Sequence, residues 1–507
     1  MRRPRTLDAL RGVVALLLGV GTAHLVAALT DPARSPLAVA GGVVVRIVPT
    51  WLEQLAVQRL GTNDKPALLA GLGVAVLVAG ACAGLLARRS RVAGTVLVLL
   101  VAGTAVVAAL VAPVAVPLDA LPSALGAVVA VAAFLLLTRP PRDEVDEAPS
   151  AGPARRTVVV GVLAVAAGAL LAAGAGETVR RGREAQAALR RAIRLPAPAD
   201  PAAALPADVE VGVADVTPFR VPPADFYRVD TALVVPQVDP GTWSLRIGGM
   251  VRAPLEIGYD DLLAMPLVER DLTLTCVSNE VGGPYAGNAR WLGVRLADLI
   301  ARVGIDPRAE QLLSRSVDGW SASTPVSVAL DGRDAIVAVG MDGEPLPAEH
   351  GYPARLVVPG LYGFVSATKW LTEIEATTYA AEQAYWTQRG WATDAPVRTM
   401  ARIDVPRPLT TVRAGEVAVA GVCWAQHRGV ARVEVQVDDG PWRTARLGGA
   451  PSDDTWRQWV LVWKADPGRH TLRVRATDGT GATQPADRLT PFPSGAQGWH
   501  EVVVQIA

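Results

Sequence analysis

The first third of this chain contains long stretches without a charged residue. A transmembrane helix needs about 20 apolar residues, so each stretch is long enough to cross a hydrocarbon core. The stretches lie between Arg11 and Asp31, between Lys65 and Arg88, between Arg91 and Arg139 with Asp119 as the only interruption, and between Arg156 and Glu177. The third can cross twice with a break near residues 113–122. The sequence therefore predicts a membrane region over residues 1–176 with about five transmembrane helices.

One further apolar run, at residues 36–51, contains Arg46 and two prolines. It is predicted to be an interfacial or re-entrant segment, with a sixth crossing as the alternative.

Arginines mark the sides of the predicted helices. They precede the first helix, follow the second and lie between the fourth and fifth, whereas residues 113–117 contain none. Because basic loops stay in the cytoplasm, the N-terminus is predicted to be cytoplasmic, and five crossings place everything after Gly176 on the outer side. Arginines between residues 180 and 194 oppose this orientation unless they lie against anionic headgroups. Arg155-Arg156 resembles a twin-arginine export signal, with an ordinary basic flank as the alternative.

The charge balance limits the class of partner. A net charge of +1 over 507 residues implies no concentrated basic surface, so nucleic acid is not a predicted partner. Of the 49 basic residues only Lys65, Lys369 and Lys464 are lysines, so a lysine in this chain is an exception to a strong preference for arginine.

Beyond residue 176 the sequence predicts three further segments. Residues 177–206 form a charged helix and a stiff Pro/Ala spacer that lifts the next domain off the bilayer. Residues 207–399 mix short strands and helices without a regular βαβ repeat or a GxGxxG or Walker sequence, which predicts an α+β domain and disfavours nucleotide binding of those kinds. In residues 400–507, short strands joined by Asp-Gly turns are typical of an immunoglobulin-like sandwich. The predicted fold is multi-domain: an α-helical transmembrane bundle, an α+β domain and an all-β sandwich.

Cys276 ends an alternating segment and is followed by a glycine-rich one, residues 277–283. Leu272, Leu274 and Cys276 share one face of the predicted strand, so the sulfur is expected to point inward at a strand end. Only Cys82 and Cys423 accompany it, so neither a disulfide framework nor a CxxC metal site is predicted. By position alone, Cys276 fits a buried, inert thiol.

Several motifs around this thiol resemble those of the sulfite oxidase family of molybdopterin enzymes, which includes bacterial subunits that reduce methionine sulfoxide. In chain order they are residues 225–228 (DFYR), the first cofactor-contacting turn; 275–279 (TCVSN), the molybdenum-ligand segment; 350–356 and 359–360, the pterin-phosphate strand; and 366–370 (SATKW), the loop that completes the site. The resemblance runs from about residue 222 to residue 493. It implies a sulfite-oxidase-type molybdopterin domain over residues 207–399, molybdenum-molybdopterin as cofactor, and the C-terminal sandwich as a dimerisation domain.

The resemblance also implies roles for single residues. Cys276 is the implied metal ligand, since a thiolate suits molybdenum held by a dithiolene and the metal keeps it deprotonated. Lys369 and Arg355 are the implied cations for the pterin phosphate, and solvated surface charge is the alternative. The other implied cofactor contacts come from Tyr227, Arg228, Asn279, His350, Ser366 and Thr368.

Some of these assignments have structural alternatives. His350 could be a turn histidine before Gly351, and Asn279 and Asn288 could stabilise turns through bonds to the backbone.

Arg228 and Tyr385 are the other implied catalytic residues. In the oxidases, an arginine matching Arg228 lies near the metal and attracts an oxyanion. This chain continues with Val229-Asp230 where those enzymes usually have Asn-His, and a carboxylate weakens an anion pocket unless it pairs with Arg228. Tyr385 corresponds to the oxidases' active-site tyrosine or is a packed interface aromatic.

The sequence offers no second redox centre. It has no CxxCH and no cysteine cluster, and His24 is the only histidine of the membrane region, which excludes a bis-histidine haem there. A separate electron carrier, a cytochrome or a quinone-linked protein, is therefore predicted.

The predicted function is that of a membrane-anchored molybdopterin oxidoreductase acting on a small sulfur or nitrogen oxyanion or oxide, with a homodimer through the C-terminal domain. A methionine sulfoxide reductase is the alternative within the fold. A cofactor-free membrane-anchored binding or adhesion module is the alternative of another class.

Overall fold

The structure is a computed structural model that describes residues 5–49, 52, 55–56, 59–60, 63–112, 115–139, 178–179, 181–182 and 184–507. It divides into two units. One comprises Met1–Leu189 and Thr231–Gln237, and the other comprises Arg190–Asp230 and Val238–Ala507. The charge-poor stretches and the cysteine motif therefore belong to different units.

Among the described residues of the first unit, four helices are long and apolar enough to cross a membrane. They are Arg5–Leu29, Asp64–Leu86, Arg91–Leu110 and Pro117–Leu137. The break between the last two falls where prolines predicted it, because proline ends a helix or begins the next one. The predicted fifth crossing near residues 157–176 and the Arg155-Arg156 pair lie outside the described residues.

The apolar run at residues 36–51 contains the shorter helix Pro36–Ile47. Its 12 residues rise about 18 Å, which is too short for the hydrocarbon core. This length argues against a sixth crossing.

Small residues bring the first helix close to two of its neighbours. A Cβ atom on Gly12 would lie 1.9 Å from the carbonyl oxygen of Gly80, and one on Gly19 would lie 2.6 Å from that of Gly126. Close backbone approach at glycines is a common way for apolar helices to pack without a hydrophobic driving force between them.

The α+β part of the second unit contains ten strands in two sheets. The strands are β1 (Ser244–Gly249), β2 (Leu255–Gly258), β3 (Val268–Thr275), β4 (Ala286–Arg295), β5 (Gln311–Ser316), β6 (Ser321–Pro325), β7 (Ile336–Met341), β8 (Glu344–Pro345), β9 (Arg355–Val357) and β10 (Leu371–Thr377). One sheet has the order β2-β1-β10-β5-β6, and the other has the order β3-β4-β7-β8, with β9 paired to β7. Only β1 and β10 pair in parallel.

Short helices connect these strands: Tyr259–Leu263, Leu296–Val303, Val326–Ala329 and Gly363–Ser366. The amphipathic helix Leu296–Val303 buries Leu296, Leu299, Ile300 and Val303 and ends at Gly304 in the left-handed conformation. The mixed, non-repeating order confirms the predicted α+β pattern.

The C-terminal region is all β. Its strands are β11 (Met400–Val405), β12 (Thr411–Val412), β13 (Gly415–Trp424), β14 (Val430–Val437), β15 (Arg443–Thr444), β16 (Arg446–Leu447), β17 (Arg457–Ala465), β18 (Gly468–Asp478) and β19 (His500–Ile506). They form the sheets β11-β13-β17-β16 and β12-β19-β18-β14-β15. Val419 and Trp459 of one sheet and Val433 and Val474 of the other are fully buried in one apolar core.

The segment predicted as a stiff spacer instead lies against the α+β domain. The amide of Ala199 donates to the carbonyl of Leu267 (2.8 Å), and the amide of Glu269 donates to the carbonyl of Asp200 (2.9 Å). The Asp200 carboxylate accepts bonds from Arg270 (2.6 Å) and Arg295 (2.5 Å), and these cations lower its pKa. Prolines remove some donors from this extended segment, but the amides between them still pair with the edge of β3. Composition alone does not reveal this docking.

Candidate active site

Cys276 follows the last residue of β3 and is buried. Its amide donates to the carbonyl of Tyr285 (2.9 Å), just before β4 begins. The hairpin pairing of Thr275 with Ala286 continues to this point. The sulfur is therefore buried at the end of β3, as the alternating pattern predicted.

The loop after Cys276 is fastened by two of its own side chains. Asn279 accepts the amide proton of Tyr285 at Oδ1 (2.7 Å) and donates its own amide to the carbonyl of Cys276 (3.1 Å). The amide and hydroxyl of Ser278 act to lower the pKa of the Cys276 thiol, against the larger effect of burial. Asn279 thus stabilises the turn, which was the alternative to its implied cofactor contact, and Ser278 is a thiol partner that sequence reasoning did not single out.

The all-β region supports the strand that carries the thiol. Gln426, fully buried, donates to the hydroxyl of Thr275 (2.9 Å), and the amide of Trp456 donates to the hydroxyl of Thr273 (2.8 Å). The Thr273 hydroxyl also donates to Asn288 Oδ1 (2.9 Å), so Asn288 joins two strands and does not serve a turn of its own. These contacts couple distant parts of the chain, and no local sequence signal predicts them.

Arg355 is a buried cation that has no carboxylate partner among the residues that the structure describes. It donates to the carbonyls of His350 (3.2 Å) and Ala367 (3.3 Å), its guanidinium carbon lies 5.0 Å from the centre of the Trp291 ring, and its Nε has no hydrogen-bond partner. Burial lowers the pKa of Arg355 to about 10. A buried charge of this kind is costly unless an anion compensates it, so surface charge is the wrong interpretation of Arg355.

Lys369 is buried as well, but it is paired. Its ammonium donates to Asp230 Oδ2 (2.7 Å) and to the carbonyl of Glu349 (3.2 Å). Arg228 donates through Nε to the same carboxylate oxygen (2.8 Å). Burial lowers the pKa of Lys369 to about 8 against the opposing effect of Asp230. Asp230 therefore pairs with Arg228, the condition under which a carboxylate is compatible with an anion pocket.

Gly351 brings the two buried cations together. It adopts the left-handed conformation (φ 107°), and a Cβ atom there would lie 3.0 Å from Lys369 Cα and 3.1 Å from Arg355 Cβ. Only glycine meets both requirements without strain. The HGYPAR motif thus folds the backbone so that Arg355 and Lys369 come close to each other.

Aromatic rings pack beside these cations. The Phe226 ring stacks on Tyr227 (5.2 Å between centroids) and meets Trp291 (5.8 Å) and His350 (5.6 Å) edge to face. Burial and the Cys276 thiolate raise the pKa of Tyr227, whereas Arg355 opposes the shift. The thiol and the guanidinium therefore each lie within electrostatic reach of the Tyr227 phenol. Trp291, on β4 opposite the cysteine strand, was not predicted.

His350 is a buried neutral group. Its Nε2 lies 2.7 Å from the carbonyl of Pro223, which can only accept, so Nε2 carries the proton. Burial lowers the pKa of His350 to about 4, with Arg355 and Lys369 acting in the same direction. His350 also ends a short 3-10 turn before Gly351, so the structural alternative describes its backbone correctly.

This burial predicts an acid-sensitive fold. Between pH 6.5 and about 4 the unfolded chain binds a proton at His350 and the folded chain does not, so the free energy of unfolding falls as the pH drops through this window. His350→Gln keeps a hydrogen-bond donor for the Pro223 carbonyl. Between pH 7.5 and pH 5, wild type should lose about 2 kcal/mol more unfolding free energy than this variant. Urea titrations followed by tryptophan fluorescence measure it, with exposed His427→Gln as the control. An unchanged loss in His350→Gln would contradict the assignment.

The other predicted residues are engaged within the protein. Ser366 donates to the carbonyls of Leu361 (3.1 Å) and Tyr362 (3.0 Å), and the Thr368 hydroxyl lies 2.7 Å from that of Ser314. Both position the loop that carries Lys369.

Tyr385 packs on Trp386 (4.9 Å between centroids), with the Arg389 guanidinium 3.7 Å from its ring centre. Its amide donates to the hydroxyl oxygen of Ser321 (3.1 Å). These contacts match the alternative of a packed aromatic.

The grouped residues fit a phosphate-bearing metal cofactor. Arg355 provides an uncompensated buried cation for an anion, and Cys276 provides a sulfur donor whose pKa burial raises in the protein alone. Among the described residues there is no cluster of three or more His, Cys, Asp or Glu suited to a metal. The protein thus supplies one soft ligand, and a metal here would need its remaining ligands from the cofactor.

Comparisons with known proteins agree with this geometry. Residues 232–386 match the family model "Oxidoreductase molybdopterin binding domain". Mitochondrial sulfite oxidase of Rattus norvegicus is 29% identical over 346 residues, 57% of this chain and 62% of that protein. The human enzyme is 29% identical over 349 residues, 58% of this chain and 63% of that protein. The matches thus span less than two thirds of these relatives.

A bacterial relative is covered more fully. The uncharacterized oxidoreductase YuiH of Bacillus subtilis is 31% identical over 177 residues, which is 34% of this chain and 86% of that protein. Among solved structures, the sulfane dehydrogenase SoxCD from Paracoccus pantotrophus superposes with a TM-score of 0.47 at 26% identity, over 53% of this chain and 75% of that chain.

The sequence matches argue against a cofactor-free adhesion module, because the matched domain is a molybdopterin-binding one. They also agree with the presence of a buried thiol and buried cations at the site. The chain belongs to the sulfite oxidase family of molybdopterin-dependent oxidoreductases.

Proposed function

We propose that this protein is a membrane-anchored molybdopterin oxidoreductase that transfers an oxygen atom and two electrons to or from a small sulfur- or nitrogen-containing substrate. The observation that carries the proposal is the hairpin-held thiol of Cys276 in electrostatic reach of Lys369, with Arg355 beside Lys369. A soft ligand and buried cations at one site suit the binding of a metal cofactor, whereas buried charges contribute little to the stability of the fold.

Each part of the site has a proposed task. Cys276 would bind the metal, Arg355 and Lys369 the cofactor phosphate, and Tyr227 and His350 the pterin edge. The cofactor, when bound, supplies a metal that exchanges an oxygen atom with the substrate. Arg228, whose side chain is 39% exposed, would meet the substrate. Asn279, Ser366 and Thr368 would hold the loops around the cofactor.

The electrons need a separate carrier. In the oxidative direction, water supplies the oxygen atom, and two protons and two electrons are released. In the reductive direction, the oxygen atom takes up two protons and two electrons and leaves as water. The sequence contains no haem or iron-sulfur motif to store them. A cytochrome or a quinone-linked protein at the membrane would exchange them.

The anchor and the C-terminal region complete the proposal. The four apolar helices and the fifth crossing predicted from the sequence would span the membrane, with the N-terminus in the cytoplasm and the catalytic domain extracytoplasmic. The all-β region would be an immunoglobulin-like dimerisation domain.

Membrane fractionation tests anchoring and function together. Membranes from expressing cells, washed with alkaline carbonate, should retain the full chain, its molybdenum and its turnover with sulfite as donor or a sulfoxide as acceptor. A peripheral protein would appear in the wash. Carbonate-resistant protein without molybdenum would contradict the enzymatic proposal.

A further inference from the structure

One buried carboxylate stands between two cations of the candidate site. Asp230 Oδ2 accepts from Lys369 Nζ at 2.7 Å and from Arg228 Nε at 2.8 Å, and the Asp230 side chain is only 4% exposed. Lys369 is just as enclosed, with 10% of its side chain exposed. A carboxylate that bridges two cations inside the protein is an internal counter-anion, since it holds the position that an external anion would otherwise take.

The charged groups of the site determine which charge faces the substrate. The cations are Arg228, Arg355 and Lys369, and a cofactor phosphate bound by Arg355 and Lys369 leaves Arg228 as the substrate-facing charge. Asp230 neutralises Arg228 directly. The terminal nitrogens of Arg228 make no hydrogen bond within the described part of the chain, so their N–H groups can donate to a substrate. The positive charge of the guanidinium is neutralised by Asp230.

We propose that Asp230 is a specificity-determining residue that makes the pocket select a neutral S-oxide or N-oxide and reject oxyanions such as sulfite. This inference rests on the proposed function and specifies its substrate class. Arg228 donates hydrogen bonds to the oxide oxygen, which a neutral Arg228–Asp230 pair does as well as a free cation. A doubly charged oxyanion meets the Asp230 carboxylate and is repelled.

The preferred reaction is then a reduction. The S=O or N–O bond breaks, the oxygen leaves as water after taking up two protons, and the sulfur or nitrogen centre gains the two electrons delivered by the separate carrier. The sulfide product is also neutral, and an amine product is neutral until it takes up a further proton, so the oxygen transfer itself leaves the charge of the pocket unchanged.

Sulfate binding tests the selectivity without catalysis. Sulfate is an unreactive oxyanion, and its dissociation constant can be measured by calorimetry on purified full-length protein whose molybdenum content is known. Asp230→Asn should bind sulfate at least about tenfold more tightly than wild type, because the carboxylate is gone and both cations remain. Its KM for dimethyl sulfoxide should change by a smaller factor than the sulfate dissociation constant does, because a neutral substrate senses the lost charge less than an anion does.

Two further variants make the comparison specific. Asp230→Glu keeps the charge and should bind sulfate as weakly as wild type. Asp215→Asn removes a carboxylate at an exposed position and should also leave sulfate binding unchanged. If Asp230→Asn does not fold, wild type alone remains decisive, since 50 mM sulfate should inhibit sulfoxide reduction by less than about half.

The outcomes separate this inference from the proposed function. Equal sulfate affinity in molybdenum-loaded wild type and Asp230→Asn, or strong inhibition of wild type by sulfate, overturns the role of Asp230 and leaves the oxidoreductase standing. Wild type that contains no molybdenum overturns both.

Discussion

Replacement of Arg355 by methionine should lower the molybdenum and pterin content of the purified protein by at least about tenfold, because each bond from a cation to phosphate contributes about 1.5–3 kcal/mol. The fold itself should not suffer. Arg355 is buried with an unpartnered Nε and no carboxylate, so a side chain of similar length without charge relieves a desolvation cost. Metal analysis and thermal unfolding of the cofactor-free protein measure the two effects.

Arg457→Met is the matched control. Arg457 also donates to main-chain carbonyls, those of Gly448 (2.7 and 2.9 Å) and Val430 (3.0 Å), but it lies in the all-β region. Its loss should lower the unfolding temperature and leave the molybdenum per folded chain unchanged. A fall in stability without a fall in cofactor content in Arg355→Met would show that Arg355 serves the fold alone.

The second large effect concerns the thiol. Cys276→Ser should reduce turnover by at least about 100-fold, since removal even of groups that only support metal ligands costs about 10- to 100-fold. A serine oxygen is a harder donor and stays protonated at neutral pH, so it does not replace a thiolate on a soft metal. Rates per molybdenum atom measure the effect independently of cofactor loading.

Cys423→Ser provides the corresponding control. Cys423 is another fully buried thiol, and burial raises its pKa to about 12, but it lies on β13 and bonds the carbonyl of Arg457 (3.3 Å). Its turnover should stay within about threefold of wild type. Similar losses in both variants would assign Cys276 to the core.

Local patterns predicted the parts of the structure that depend on nearest neighbours. Charge-free stretches mark the membrane-length helices because burying a charge in hydrocarbon is costly at any position. Alternation placed Cys276 at a strand end, and the mixture of short strands and helices predicted for residues 207–399 is present. The rarity of lysine singled out Lys369, which is buried at the site.

Contacts between distant segments could not be predicted in this way. The Asp230 bridge depends on a pairing across 139 positions, and the support of Thr275 by Gln426 depends on one across 151. Asn279 has a motif position that resembles a cofactor contact, yet its side chain closes the hairpin loop. The Pro/Ala segment has the composition of a spacer, but its few free amides pair with β3. In each case tertiary packing decides between roles that the residue type permits equally.

The bond between the Cys276 sulfur and molybdenum is the central claim, and X-ray absorption at the molybdenum edge measures it most directly. Wild type and Cys423→Ser should show one more sulfur neighbour at the metal than Cys276→Ser shows. The same number of sulfur neighbours in wild type and Cys276→Ser, or a wild-type protein without molybdenum, would contradict the account.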